Sequence, residues 1–175
     1  MPRNPSEMIS AAPVASRPHI EGYGVPEHAD GLLPWSHAAE RLTSARNYWI
    51  VTADQRGQPH AMPVWGVWIG DALYFSTGTT TRTARNLAVN PRAAVHLESG
   101  SDVVTIEGAA RFEQPIDPET AKAIDDAMAE KYDFRPSADG DSPENGMFVL
   151  RPRVAFAWTQ FPADATRWKF AERSE

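Results

Sequence analysis

Cysteine is absent from the 175 residues. That excludes disulfides and thiolate metal centres, and it fits a reducing, cytoplasmic setting. No apolar run approaches the roughly 18 residues that a membrane span needs, and the first residues show no apolar core of a secretion signal. Basic residues are in deficit: the net charge is −6, whereas a phosphate backbone demands a basic face. The expectation is therefore no membrane span and no nucleic-acid partner. A glycine-rich phosphate loop and a dinucleotide fingerprint are missing, as are a hydrolase elbow and an internal repeat. Asp139, Asp141 and Glu144 lack calcium-loop spacing. His37 and Glu40 offer two ligands on a short helix, too few for a metal centre, so no metal is expected.

What remains is a globular balance, 42% hydrophobic and 23% charged residues, in a length suited to one domain. Residues 1–30 stand apart. Pro2, Pro5, Pro13, Pro18 and Pro26 interrupt any pattern and large apolar residues are few. This stretch reads as a flexible arm, with wrapping around a partner subunit as the alternative. Residues 31–175 form the domain proper.

Ser36 is a helix N-cap candidate, opening a short helix to Ala45 with Ala39 and Leu42 inward. Tyr48–Thr52, aromatic and β-branched, is a strand. A turn at 53–57 leads into one long strand from Pro59 to Ile69. Gly70-Asp71 turns a hairpin into Ala72–Ser76. Thr81–Val89 is a short helix, ended by Asn90-Pro91. Arg92–Leu97 and Val103–Phe112 are strands. Pro118 to about Tyr132 is the longest helix, with Ala121, Ile124, Ala127 and Met128 at helical spacing. Met147–Leu150 and Val154–Trp158 follow as two strands, and Arg167–Phe170 as an edge strand. Hairpin-linked strands with inserted helices predict a mainly β fold, an antiparallel barrel.

The chemistry concentrates in Ser76–Pro91: a strand end, a hydroxyl-rich loop and a helix start. Free N–H groups at a helix N-terminus attract anions. Thr79, Thr80 and Thr81 add hydroxyls, and Arg82 and Arg85, three apart, share a helix face. Guanidinium groups suit phosphate oxygens. From spacing alone, two readings stay open: a phosphate site, or an exposed helix with solvated arginines.

Three stretches decide between them by likeness: G-Q-P-H-A-M-P-V-W (57–65), L-Y-F-S-T (73–77) and R-T-A-R-N-L-A-V-N-P-R (82–92). The block from Asn47 to Phe112 resembles the pyridoxamine 5′-phosphate oxidase-like superfamily of split β-barrel flavoproteins. It looks most like the branch of flavin/deazaflavin oxidoreductases, and residues 151–158 and 166–170 are similar to that branch's closing strand and tail. The resemblance implies a homodimeric split β-barrel with its coenzyme sites at the subunit interface.

Carried onto this sequence, the resemblance has Ser76 and Thr77 meet the phosphate, Thr81 and Arg82 grip it, and Arg85 stand at an often basic position. Pro63, Val64 and Trp65 edge the ring system, with Met62 on the same strand. His60 is open to two roles, a donor to the coenzyme or a surface strand histidine. Trp168 and Lys169 belong to a tail that reaches the site, in this superfamily, from the other subunit. His96 reads as a core or interface residue rather than a haem ligand. The B6 oxidases carry arginine at the position of Met62 and lysine at that of Val67, and a lysine is common at that of Thr83. Their loss here turns the reading away from the B6 oxidases and from FMN, toward a deazaflavin. The implied function is coenzyme F420-dependent oxidoreduction of a small conjugated acceptor. The alternatives are an FMN-dependent oxidoreductase, or a non-catalytic carrier of flavin, deazaflavin or haem. No side chain is singled out as an obligatory acid or base.

Overall fold

The computed structural model describes residues 12–135 and 144–171. Within these residues nine strands and three helices follow in chain order. They are β1 (Val14–Ser16), α1 (Trp35–Ser44), β2 (Tyr48–Ala53), β3 (Pro59–Val64), β4 (Gly66–Ile69), β5 (Ala72–Gly78), α2 (Arg82–Val89), β6 (Arg92–His96), β7 (Val103–Phe112), α3 (Pro118–Tyr132), β8 (Asn145–Trp158) and β9 (Thr166–Lys169). Every strand pairing is antiparallel, as hairpin linkage requires.

The long strand β8 organises the sheet. One of its edges pairs with β7 along nearly its whole length. The other edge is divided. Asn145–Leu150 pair with β5, and Val154–Ala157 pair with β9. Two separate arms therefore leave one strand, and the barrel is split there. The path runs β1-β9-β8-β7-β6-β2-β3, with β5 and β4 branching from β8.

Alternation fills the inside. Tyr48, Ile50 and Thr52 of β2 are buried and their neighbours are not, the period-2 pattern of a strand with one covered face. Leu73, Phe75, Val95, Val104, Ile106 and Leu150 complete the barrel core. α1 closes one side of it with Ala38 and Leu42, and α2 adds Ala84 and Leu87. A second cluster lies on the far face of β4–β5, where Ile124, Met128 and Tyr132 of α3 cover Val67 and Met147.

The sequence reading needs correcting in five places. Pro34, not Ser36, precedes the first helical turn of α1, without a side-chain cap, and Ala38 rather than Ala39 is fully buried. The expected single strand 59–69 breaks at Trp65, because the Tyr132 hydroxyl bonds both the N–H (3.0 Å) and the C=O (2.9 Å) of Gly66. The two expected final strands are one. Pro152 is tolerated because the β7–β8 register shifts between Glu107 and Gly108, opposite it, and bulges accept proline. Gly108 makes this possible, since a Cβ there would sit 2.1 Å from the Arg151 carbonyl oxygen. β9 is not an edge, for β1 pairs on its outer side.

The last correction concerns the arm. Within residues 12–30, Val14–Ser16 join the sheet. Arg17 then donates to the carbonyls of His28, Asp30 and Ala165. Backbone pairing and one arginine do this work, and neither needs the apolar side chains whose scarcity suggested an arm. Residues 1–11 of that reading lie outside the described residues.

Candidate functional site

The cradle starts with a cap. Thr81 sits in extended conformation before α2, and its Oγ1 accepts from the Ala84 N–H at 3.2 Å. The same oxygen lies 3.1 Å from Thr77 Oγ1, so the end of β5 and the start of α2 are joined by a hydroxyl pair. Arg82 and Thr83 hold the first helical positions, where N–H groups have no acceptor within the helix. Arg85 Nη1 donates to the Thr80 carbonyl at 2.6 Å, which holds that guanidinium over the helix start. The loop is fixed from the other side as well. The Thr79 N–H donates to Glu144 O at 3.1 Å. A Cβ on Gly78 would press on Thr81 Cγ2 at 3.2 Å.

One buried contact sets where the cradle stands. Asn86, inside α2, donates through Nδ2 to Thr52 Oγ1 of β2 at 3.0 Å. Both residues are buried, so this neutral bond in a low-dielectric setting registers helix on sheet. No sequence motif had drawn attention to Asn86. Its signal was a polar residue on the inner face of a helix that also buries Thr83, Ala84 and Leu87. α2 touches β3 and β5 as well as β2 and β7, so Ser76, Thr77, Thr81, Arg82 and Arg85 form one neighbourhood beside β3.

β3 carries the expected ring-side residues. His60, Met62 and Val64 pair directly with Thr52, Ile50 and Tyr48, and directly opposed residues share a face. They therefore stand on the side that α2 covers. Met62 is 45% and Trp65 47% exposed. The Trp65 ring is stacked on Tyr132, centroids 4.7 Å apart and 11° between planes. Beneath that stack Lys131 Nζ donates to Tyr48 Oη (3.0 Å) and Gly66 O (3.3 Å) and lies over both tyrosine rings. Burial lowers the Lys131 ammonium to about 8 and raises the Tyr48 phenol.

Within its own chain the tail packs as β9. Trp168 is 1% exposed and packs edge-on against Trp35 at 5.4 Å. A fully buried indole has no face left for a ligand, so its expected role over a ring is corrected to core packing. Lys169, exposed on β9, pairs across to Val14 and Val154. His96 lies flat on Trp49 with 2° between planes, and its Nδ1 is 2.8 Å from Leu97 O. No group of three or more candidate metal ligands occurs among the described residues. None of their helices is long and apolar enough to cross a membrane.

Among the described residues, an antiparallel barrel, opened along β8 and carrying three helices, defines a split β-barrel protein. The chain belongs to the pyridoxamine 5′-phosphate oxidase family, whose sequence profile matches residues 35–159. Among curated proteins none matches significantly. Among solved structures, a conserved hypothetical protein of Mycobacterium tuberculosis is 23% identical with a TM-score of 0.62, over 75% of this chain and 88% of that one. A haem-binding protein of Mycobacterium smegmatis is 22% identical (TM-score 0.59), over 77% of this chain and 58% of that one. An F420 reductase is 22% identical (TM-score 0.51), over 69% and 96%. At these identities the likeness is one of fold.

Proposed function

We propose that the chain is a cytoplasmic oxidoreductase that holds coenzyme F420, with FMN as the alternative, by its phosphate at the start of α2. The observation that carries the reading is the Thr77–Thr81 hydroxyl pair at 3.1 Å, set beside the first amides of α2. Hydroxyls, amides and a guanidinium converge there, the donor set of a phosphate monoester or diester. Ser76, Thr77, Thr81, Arg82 and Arg85 hold the phosphate. Pro63, Val64 and Trp65, with Met62 and His60, border the ring. The bound coenzyme supplies a hydride to a small conjugated acceptor. The protein's part is to fix the ring against β3 and to limit water at its face.

The chain is expected to pair with a second copy of itself. The surface for it is the outer face of β2, β6 and β7. A groove of about 1270 Å³ crosses this face over Val51, Ala94 and Ala109, with Arg92 and Glu107 at its rim. Small apolar side chains edged by both signs of charge suit a twofold contact. Light scattering is expected to give twice the 19.3 kDa chain mass. The deciding experiment titrates F420 and FMN by tryptophan quenching, then offers enones and quinones to the reduced complex. Saturable F420 binding with turnover supports the reading. Tighter FMN binding moves it to the alternative coenzyme, binding without turnover makes the chain a carrier, and binding of neither refutes it.

A further inference from the structure

Two arginines of α2, Arg82 and Arg85, were expected at the coenzyme's phosphate. The structure brings a third arginine to their flank. The turn between β2 and β3 is tightly held. Asp54 Oδ1 accepts from the N–H groups of Arg56 (2.8 Å) and Gln58 (2.9 Å), and the Gly57 N–H donates to Asp54 O at 2.9 Å. This turn carries Arg56 to the flank of α2. There Asp54, Gln55, Arg56, Arg82, Arg85 and Asn86 line a depression of about 390 Å³.

The depression is preformed, because the Asn86–Thr52 bond fixes its helical wall against the strand that leads into the turn. Its three guanidinium groups are unequal. Arg85 is committed to the Thr80 carbonyl. Arg56 and Arg82 have exposed side chains that make no hydrogen bond or ion pair within the described residues. The carboxylate in the lining, Asp54, already accepts from two turn amides. A chain of net charge −6 has thus gathered three cations in one small hollow. Like charges at short range repel, and an anion seated between them relieves that repulsion.

We propose that this hollow is a second anion site, with Arg56 as its selecting residue. It takes a carboxylate or phosphate carried on the ligand beyond the phosphate that the Thr77–Thr81 cradle holds. The inference rests on the proposed function and deepens it. Arg82, at the first helical position, borders both sites. A coenzyme with one terminal phosphate fills the cradle alone, whereas one whose tail bears further anions fills the cradle and the hollow.

The test uses the full chain, with F420 bearing its anionic tail and with the tail-less deazaflavin 5′-phosphate, titrated by tryptophan quenching at two salt concentrations. Arg56→Ala is expected to raise the dissociation constant of the tailed form about tenfold, the loss of one charge-assisted contact, and to leave the tail-less form unchanged. Arg56→Lys is expected to recover part of the affinity and Arg82→Ala to weaken both forms. Melting curves of each variant separate folding from binding. Arg56→Ala weakening both forms equally, or neither, overturns the second site while the proposed function stands. Failure of the unchanged protein to bind either form overturns the proposed function and the site with it.

Discussion

Trp168→Ala tests the largest difference between tail and core. The indole is 1% exposed. Its ring meets Trp35 at 5.4 Å and 69°, and Trp35 in turn meets Phe170 at 5.1 Å and Trp68 at 6.3 Å. Removing a buried aromatic ring costs about 3–5 kcal/mol, because the surroundings collapse only partly into the cavity. In a chain of this length each kcal/mol moves the midpoint by about 2–4 °C, so the melting temperature should fall by roughly 6–20 °C. Calorimetry and urea titration measure the loss, and Trp168→Phe should restore much of it by refilling the volume. Coenzyme affinity, taken well below the variant's midpoint, should not change, since no face of the ring is open to a ligand. An unshifted midpoint together with lost coenzyme affinity would refute the reasoning. It would mean that the indole leaves the core to cover the ring.

Three further outcomes follow from named contacts. Thr81→Ala removes the cap on Ala84 and the link to Thr77. It should cost about 0.5–2 kcal/mol of stability and weaken phosphate-bearing ligands, whereas Thr81→Ser should keep both. Gly108→Ala puts a Cβ 2.1 Å from Arg151 O. The bulge must then shift, and a marked drop in melting temperature is expected; an unchanged one would show that β7 and β8 slide freely there. Lys131 governs the alkaline limb of stability. Folded, it releases its proton at about 8, against an ordinary value of 10.5. Between those values the unfolded chain binds more protons, so stability rises with pH. The raised phenols of Tyr48 and Tyr132 oppose this only above about pH 10, where unfolded tyrosine ionises. Urea midpoints should climb from pH 8 to 10, and Lys131→Met should flatten the climb.

What was legible in the sequence followed from local chemistry. The bounds of α3 came through because Asp117 caps Thr120 and Pro118 suits the first helical turn. Those of β7 came from alternation between flanking turns. Long-range chemistry stayed hidden. The break at Trp65 is made by Tyr132, 66 residues beyond Gly66. Pro152 read as a strand end because the bulge that admits it lies in β7. Arg56 gave no signal, since the arginines it joins lie on a separate helix. Trp168 was readable after all. In Thr-Arg-Trp-Lys the first and third residues are buried and the other two are not, so alternation alone points Trp168 inward, while likeness to a family tail pointed it at a ligand.

The edge of β3 beside the start of α2 is covered by no described strand. β3 ends the strand path and pairs with β2 alone among the described strands. An unpaired edge invites another strand. Proline lacks an N–H, so Pro59 and Pro63 must occupy positions whose amide side faces away from β2. Residues two apart point the same way, so the outward row of β3 is Pro59, Ala61 and Pro63. That row presents three carbonyls but only one N–H, from Ala61. A strand needs donors and acceptors in alternation, and this edge lacks most of its donors, so a further strand gains little there. The same two prolines thus protect β3 from strand addition and leave a row of carbonyl acceptors on its edge, next to the start of α2.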